Sequence, residues 1–199
     1  GVVKMALRMK KETLWNLYDR VGFGKPTGVQ FPGEETGRFR HFKRWSDFEY
    51  ATQAFGYGLS VTPLQLARAY SVLAADGLLK PISLLKVAQA PAGEQVLSAK
   101  TAREVRAMME TVVSPKGTAK QAVIEGYSVA GKTGTAKKSA GRGGYAAGRY
   151  QAVFAGMAPA KDPRFVLVVM VDEPGGGKYY GGLVAAPAFA RIMQGALRL

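Results

Sequence analysis

Three strand-like segments follow one another in the second half of the chain, and they constrain the fold more than any other feature. They cover residues 128–136, 150–158 and 164–172, and an Asp-Pro pair at 162–163 marks a turn between the last two. The third segment carries a nearly continuous apolar run over 165–171, which predicts a strand buried on both faces. Because short connections join antiparallel strands, and helical patterns precede and follow these segments, the sequence predicts an α+β fold, an antiparallel sheet flanked by helices.

Apolar residues at helical spacing predict four helices around this sheet. The first covers residues 2–20, the second begins at Thr62, the third follows Ser98, and the last covers about 183–198. Thr62 and Gln65 have the spacing of a capping box, and Ser98 is a capping residue for the third helix.

The beginning of the chain lacks the usual marks of a helix start. No Ser, Thr or Asp is placed to cap the helix predicted over 2–20, so we expect this chain to have been cut from something longer. A stretch rich in Gly, Pro and charged residues follows over 24–46 and predicts a long irregular loop. Loops of that length are uncommon in compact domains and are often functional.

A short polar run in the first strand-like segment suggests a site for acyl transfer. It consists of Lys132, Thr133, Gly134 and Thr135, whose side chains are suited to holding a carboxylate. Because alternate residues of a strand share a face, Lys132 and Gly134 point one way and the two threonines the other. We expect Lys132 and Gly134 to lie on the cavity side, where glycine lets a ligand approach. A Lys-Thr-Gly triplet is short enough to occur by chance, so its meaning depends on context.

The charge of the chain narrows the classes of partner. Lys and Arg number 28 and Asp and Glu 14, which gives a net charge of +14 and favours an anionic partner. Nucleic acid, anionic lipid and anionic cell-wall polymer all meet that condition. The basic residues are scattered and form no nucleic-acid-binding motif, so nucleic acid is not predicted as a partner.

The absence of cysteine and the single histidine limit the chemistry further. Zero cysteines exclude a disulfide framework and a thiolate nucleophile. His41 lies in a loop-like stretch, where a solvated histidine is the ordinary interpretation, and it is the sole candidate for a histidine-based triad or metal site. We therefore predict no metal site and no cofactor.

Residues 55–67, which read Phe-Gly-Tyr-Gly-Leu-Ser-Val-Thr-Pro-Leu-Gln-Leu-Ala, form a far more specific pattern than the triplet. This segment resembles a signature of the class B penicillin-binding proteins. With 31–34, 131–135 and 179–182, the resemblance covers essentially the whole chain in the expected order. Within the family it is closest to the cell-division transpeptidases of Gram-negative bacteria, the penicillin-binding protein 3 group. It implies a penicillin-binding/serine β-lactamase-like transpeptidase fold.

The family builds its site from three motifs, Ser-x-x-Lys with the nucleophile, Ser-x-Asn and Lys-Thr-Gly, and the third is the convincing one here. Asn16 is the only asparagine, and the residue two positions before it is Leu14 where the motif needs serine, so Ser-x-Asn is absent. A literal Ser-x-x-Lys occurs at Ser83 and Lys86, but the run 82–87 favours a strand, where residues three apart face opposite sides. Residues 1–199 are thus identified as the C-terminal portion of a transpeptidase domain without the nucleophile-bearing N-terminal part.

The resemblance assigns roles to individual residues. Lys132 and Thr133 would supply charge and a hydroxyl beside the substrate's terminal carboxylate, and Thr135 would supply an oxyanion-hole N–H and a hydroxyl. Tyr57, between two glycines, would border the cleft, although a turn aromatic covering the core is the alternative. Tyr150, Tyr179 and Tyr180 would form an apolar wall, with core packing as the alternative for Tyr150. The predicted catalytic-motif residues are Lys132, Thr133, Gly134 and Thr135, and the predicted substrate- and β-lactam-binding residues are Tyr57, Tyr150, Tyr179, Tyr180 and Gly181.

The function implied is that of a septal peptidoglycan D,D-transpeptidase acting through a serine acyl-enzyme and inhibited by β-lactams. Its partners would be stem peptides, as D-Ala-D-Ala donor and amine acceptor, β-lactam antibiotics, the N-terminal part of the same protein, and division-complex proteins. Its location would be the periplasmic face of the bacterial inner membrane, with a transmembrane anchor outside this chain. A serine β-lactamase or D,D-carboxypeptidase is the alternative enzyme, and a non-catalytic β-lactam sensor or cell-wall binding module is the alternative of another class.

The glycine-rich, basic insert over 137–149 has two interpretations. Such a stretch is usually the solvated tip of a hairpin, but its positive charge could attract an anionic substrate. Its basic residues are Lys137, Lys138, Arg142 and Arg149.

Overall fold

The computed structural model describes residues 1–141 and 143–199 and divides the chain into two compact units. Each unit consists of two separate stretches of the chain, because the chain crosses the boundary near the end of one helix and again near a short strand pair. The first unit comprises Gly1–Val72 and Leu78–Val96, and the second comprises Leu73–Gly77 and Leu97–Leu199.

The first unit is mainly helical. Its helices are α1 (Val2–Ala6), α2 (Lys11–Arg20), α3 (Asp47–Gln53) and α4 (Pro63–Ala74), and α4 continues into the second unit. A short antiparallel pair, β1 (Leu78–Leu79) with β2 (Glu94–Gln95), completes it. None of the helices within the described residues is both long and apolar enough to cross a membrane.

The helix predicted over 2–20 is interrupted at residues 7–10, so the prediction of one continuous helix was wrong there. The chain leaves helical geometry after Ala6 and re-enters it at Lys11, and Lys10 has extended backbone angles. The Tyr50 hydroxyl approaches the carbonyl oxygens of Ala6 and, at 2.9 Å, of Met9. The Ala6 carbonyl also accepts the Met9 N–H at 2.8 Å, so the single proton of this buried tyrosine is available to the Met9 carbonyl, which a continuous helix would have bonded internally.

The capping box predicted at the start of α4 is confirmed. Thr62 and Gln65 exchange hydrogen bonds, Gln65 N–H to Thr62 Oγ1 at 3.1 Å and Thr62 N–H to Gln65 Oε1 at 2.9 Å. The buried Gln65 amide also donates to the carbonyl oxygens of Lys25 and Thr36 at 2.8 and 2.9 Å. One glutamine thus caps α4 and anchors the irregular loop predicted over 24–46, in which the structure has one short 3₁₀-helix, Phe42–Arg44.

The segment around Ser83 is neither strand nor helix, so the strand predicted over 82–87 was wrong. The Ser83 hydroxyl accepts a hydrogen bond from the Leu85 N–H at 3.0 Å and donates to the Leu85 carbonyl at 2.8 Å. This local turn occupies the hydroxyl. Because no helix forms here in the described chain, Ser83 and Lys86 do not share the helical face that a Ser-x-x-Lys nucleophile requires.

The second unit contains the predicted antiparallel sheet, which is confirmed. Three strands pair in the order β3-β4-β5 among the described residues, and helices accompany them on either side in sequence. Ser98 caps the first of these helices by accepting the Thr101 N–H, as predicted. The elements are α5 (Ala99–Glu110), β3 (Ala130–Ser139), β4 (Tyr145–Ala158), β5 (Phe165–Asp172) and α6 (Gly181–Leu197), with short 3₁₀-helices at Thr111–Val113 and Lys120–Ala122.

The core of this unit lies between the sheet and α6. Phe154 of β4 and Phe189 of α6 are fully buried and meet edge to face with ring centroids 4.7 Å apart. Gly131 is required by this packing, because a Cβ there would lie 2.3 Å from the tip of the Phe154 ring. Ile192 of the same helix is 54% exposed and takes no part in this core.

The prediction that β5 is buried on both faces was wrong. Among residues 1–141 and 143–199 the strand lies at an edge of the three-stranded sheet, and its residues are half-buried or exposed. Phe165, Leu167 and Val169 pack against the core under α6, whereas Met170 on the alternate face is 44% exposed. An apolar run therefore does not show whether both faces of a strand are covered or only one.

Candidate functional site

A cavity of about 300 Å³ lies where β3 meets the N-terminus of α6, and it is the centre of the candidate site. Thr133 and Thr135 of the polar run reach it from β3. Lys132 and Gly134, which were predicted to lie on the cavity side, are not among the described residues that line this cavity. The described residues that line it are Thr118, Thr133, Thr135, Tyr180, Gly181, Gly182 and Leu183.

The register of the sheet sets this arrangement. Thr133 pairs with Phe154 and Thr135 with Ala152 across the β3–β4 ladder. Alternate residues of a strand share a face, so the two threonine hydroxyls lie on the same side. Their shared face can hold a ligand that accepts two hydrogen bonds.

The N-terminus of α6 closes the cavity against the strand. The Gly181 N–H donates to Thr135 Oγ1 at 3.1 Å. Added Cβ atoms would lie 2.2 Å from the Val153 carbonyl oxygen at Gly181 and 2.0 Å from the Thr118 carbonyl oxygen at Gly182. Both positions therefore require glycine, because the helix backbone touches the sheet backbone at Gly181 and the backbone of the loop that carries Thr118 at Gly182.

Thr118 completes the polar lining from the connection between the two 3₁₀-helices. Its hydroxyl oxygen is 3.1 Å from that of Thr133. Sequence reasoning missed Thr118, Gly182 and Leu183 as lining residues. The adjacent Gly181 and Gly182 were a usable signal for close backbone packing, whereas no pattern around Thr118 distinguishes it from an ordinary loop threonine.

Lys132 contributes charge next to the cavity rather than inside it. Its exposed ammonium group donates to the Thr133 carbonyl oxygen at 2.9 Å. The bond keeps the positive charge on the strand that carries both cavity threonines. In residues 1–141 and 143–199, no group of three or more His, Cys, Asp or Glu side chains is placed to hold a metal ion.

The three predicted wall tyrosines come together. Tyr150 of β4 stacks on Tyr179 with centroids 4.2 Å apart and planes 14° apart, and Tyr179 packs on Tyr180 at 4.5 Å. The Tyr179 hydroxyl donates to that of Tyr180 at 3.3 Å, which raises the pKa of Tyr179. Tyr180 lines the cavity, and Tyr179 and Tyr150 follow it in the stack, so these three rings form a tyrosine wall that begins at the cavity.

A cluster of ion pairs lies behind the tyrosine wall. Lys138 contacts Asp172 at 2.7 Å and Glu173 at 2.6 Å, and Arg149 also pairs with Glu173. These bonds, first that of Arg149 and then that of Lys138, lower the pKa of Glu173 to about 2. The Glu173 N–H donates to the Tyr150 carbonyl at 2.8 Å, which connects the cluster to the wall.

This cluster bears on the basic insert over 137–149. The structure extends β3 and β4 into a hairpin there, as expected for its ordinary interpretation. Lys138 and Arg149 are neutralised by carboxylates at the end of β5. Because these two positive charges are paired with two negative ones, they exert little net attraction on an anionic substrate. Arg142 lies outside the described residues.

Tyr57 belongs to the first unit and remains a predicted cleft residue. It lies between Gly56 and Gly58, both with positive φ, in a turn that its N–H closes by donating to the Thr52 carbonyl at 3.1 Å. Its ring is half-buried and packs on Phe55 with centroids 5.6 Å apart. The histidine of the same unit, His41, is exposed, as expected, and caps the 3₁₀-helix by accepting the Lys43 N–H.

The chain belongs to the penicillin-binding protein transpeptidase domain family, whose model matches residues 1–194. This confirms the resemblance predicted from residues 55–67 and the predicted fold class.

Particular relatives define its place in the family. Peptidoglycan D,D-transpeptidase FtsI of Escherichia coli strain K12 is 48% identical over 198 residues, which are 100% of this chain and 34% of the relative. Probable peptidoglycan D,D-transpeptidase PenA of Neisseria gonorrhoeae is 44% identical over 199 residues, with the same coverage. The chain thus spans about a third of the length of the curated relatives it matches.

Solved structures agree with this placement. The apo structure of the TP domain of penicillin-binding protein 3 from Burkholderia pseudomallei superposes with a TM-score of 0.93 at 50% identity. The match covers 100% of this chain and 60% of that chain. A peptidoglycan glycosyltransferase from Burkholderia ambifaria matches with a TM-score of 0.88 at 44% identity, covering 100% of this chain and 59% of that one.

Proposed function

We propose that these residues are the C-terminal part of a transpeptidase domain in a peptidoglycan D,D-transpeptidase that cross-links stem peptides during septal wall synthesis. The observation that carries the proposal is the convergence of the Thr133 and Thr135 hydroxyls on one cavity, with the charge of Lys132 beside it. Membership in the transpeptidase family and the names of the relatives support the same activity.

The reaction is a double acyl transfer through a serine that lies outside this chain. The serine oxygen attacks the carbonyl carbon between the two D-alanines of a donor stem peptide. The peptide C–N bond breaks, the terminal D-alanine leaves with a proton, and an ester links the remaining peptide to the serine. The amine of a neighbouring stem peptide then attacks this ester, which forms the cross-link and returns the proton to the serine.

The residues of this chain bind and polarise the donor. Thr133 and Thr135 donate hydrogen bonds to its terminal carboxylate, and Lys132 supplies a favourable electrostatic field. The Thr135 N–H contributes to an oxyanion hole, where one donor is typically worth about 3 kcal/mol of transition-state stabilisation. The tyrosine wall and Tyr57 contact the apolar parts of the substrate. β-Lactams carry a carboxylate next to a strained amide, so they occupy the same positions and acylate the same serine.

The location and partners follow from this activity. The enzyme works at the periplasmic face of the inner membrane, held by an anchor outside this chain, together with division-complex proteins. The net charge of +14 suits an anionic environment of cell-wall polymer and lipid headgroups.

Acylation of the full-length protein by a fluorescent penicillin tests the proposal. We expect stable labelling, loss of most labelling in Lys132→Met, and unchanged labelling in the matched control Lys161→Met, an exposed lysine in the turn before β5. Labelling must be accompanied by cross-linking of a stem-peptide donor to an amine acceptor. Rapid release of hydrolysed penicillin would instead identify a β-lactamase, release of D-alanine without cross-linking a carboxypeptidase, and absence of acylation a sensor or binding module.

A further inference from the structure

The loop that carries Thr118 is held rigidly from both sides. The Gly117 N–H donates to the Ser114 carbonyl at 2.9 Å, and the Ala119 N–H donates to the Val112 carbonyl at 2.9 Å. Ala119 is fully buried. Thr118 is therefore presented on a backbone whose position the neighbouring bonds determine, although it belongs to no helix or strand.

The side chain of Thr118 forms a hydrogen bond with another residue of the cavity lining. Its hydroxyl oxygen is 3.1 Å from the Thr133 hydroxyl oxygen, and both residues line the cavity. Its carbonyl oxygen packs against Gly182, so the same residue also limits how closely α6 approaches. Thr118 thus joins the cavity wall to the strand residue that reaches the ligand.

The direction of this hydrogen bond is decided by the ligand. A hydroxyl has one proton to donate and can accept bonds as well. When Thr133 donates its proton to an anion, its remaining bond to Thr118 must be one that it accepts. Thr135 is in the same condition, because it accepts the Gly181 N–H and keeps its own proton free.

We infer that Thr118 is a positioning residue that donates to Thr133 and so directs the Thr133 proton into the cavity, toward the carboxylate of a bound substrate or β-lactam. Each cavity threonine then has one donor behind it, Thr118 behind Thr133 and Gly181 behind Thr135. Two protons point at two carboxylate oxygens, and successive hydrogen bonds in one direction strengthen each other. The inference rests on the proposed function, since it assigns the ligand of the same site.

The test compares acylation of the full-length protein by a penicillin and by its methyl ester, which lacks the charged carboxylate. Thr118→Val removes the hydroxyl at nearly constant shape, Thr118→Ser keeps it, and Thr13→Val is the matched control on an exposed face of α2. We expect Thr118→Val to lower the acylation efficiency for the free acid about tenfold, the loss of roughly one hydrogen bond. The efficiency for the ester should be nearly unchanged, and Thr118→Ser should restore the preference for the acid.

Each other outcome has a defined meaning. Equal loss for acid and ester in Thr118→Val would overturn the positioning role, because damage to packing does not distinguish the two probes. Unchanged preference for the acid in Thr118→Val would overturn it as well. If the unsubstituted protein acylates normally, either result leaves the proposed function intact. Failure of the unsubstituted protein to react with either probe would remove the proposed function and this inference together.

Discussion

The Gly181 N–H, at the first residue of α6, donates to Thr135 Oγ1 of β3 at 3.1 Å, across 46 positions of the chain. The first N–H groups of a helix have no partner within the helix. Tyr180, the N-cap residue here, makes no capping bond with its side chain. A threonine from the strand therefore caps the helix and, by accepting that bond, keeps its own proton for the cavity.

Gly181→Ala should destabilise the second unit. The new Cβ would lie 2.2 Å from the Val153 carbonyl oxygen and 2.5 Å from the Gly134 carbonyl oxygen, so the helix must move away from the sheet. Overpacking of this kind typically costs about 1–3 kcal/mol. Thermal unfolding of the full-length protein should show a lower midpoint, and penicillin acylation should be slower.

The control for this substitution is Gly195→Ala in the same helix. A Cβ at Gly195 would have no atom within 4 Å, and alanine favours helix over glycine by about 1 kcal/mol. This variant should be as stable as the parent or more so. Equal destabilisation of both variants would contradict the proposed role of close packing at Gly181.

Thr135→Val should lower the rate of acylation about a hundredfold, as the loss of one oriented donor at an acyl-transfer site does. The substitution removes the proton aimed at the ligand and also leaves the Gly181 N–H without its acceptor. Stopped-flow acylation by a penicillin measures the rate. Thr135→Ser keeps both hydrogen bonds and should retain activity within a few-fold, whereas a normal rate in Thr135→Val would contradict the assignment.

Acid should weaken the ion pairs that the Glu173 carboxylate makes with Arg149 and Lys138. Arg149 and Lys138 hold the pKa of Glu173 at about 2, below its usual 4.5. A carboxyl with a lowered folded-state pKa contributes stability that is complete above its unfolded pKa and is lost as the pH falls through the folded value. Lowering the pH from about 5 to about 2 should therefore lower the midpoint temperature of thermal unfolding.

Glu173→Gln should reduce this dependence on pH, because the amide does not titrate. The difference in midpoint between the variant and the parent should be largest near pH 7 and shrink toward pH 2. Added salt should also reduce it, since these groups are partly exposed and screened. Glu104→Gln, which breaks a 3.9 Å surface pair with Lys100, is the matched control, and an equal pH response in both variants would contradict the role of Glu173.

Tyr150→Leu should weaken acylation by penicillins with apolar side chains by about three- to tenfold. The substitution removes the ring that stacks on Tyr179 at 4.2 Å, and aromatic pairs contribute about 0.5–1.5 kcal/mol beyond the area they bury. Tyr150→Phe keeps the stack and should behave like the parent. If Phe and Leu impair acylation equally, the stacked wall is not what the ligand contacts.

Local pattern was sufficient for much of the fold. The capping box at Thr62, the cap at Ser98 and the order of the three strands depend on residues close together in sequence, and all were confirmed. The uninterrupted helix over 2–20 was wrong because its break is stabilised by Tyr50, which is distant in sequence. The double-sided burial of β5 was wrong because the coverage of each face depends on the elements that pack against the strand, and α6 covers only one face.

The candidate site could likewise be predicted only in part from the sequence. Family resemblance nominated Lys132, Thr133, Gly134, Thr135 and the tyrosines, and strand periodicity separated Lys132 from the two threonines. Periodicity could not say which face meets the cavity, and the structure assigns it to Thr133 and Thr135. Thr118 gave no local signal.

The sequence by itself determined the family, the order of helices and strands, and the residues of the polar run, because these depend on residue types and short spacings. Only the tertiary structure decided that two glycines of α6 pack against the backbone of β3, β4 and the Thr118 loop. It also decided that Thr118 and Gly181 form hydrogen bonds with the hydroxyls of the two cavity threonines. Hydrogen bonds between distant segments exist only after the chain has packed. The direction of each cavity proton therefore depends on the packed fold as well as on the motif.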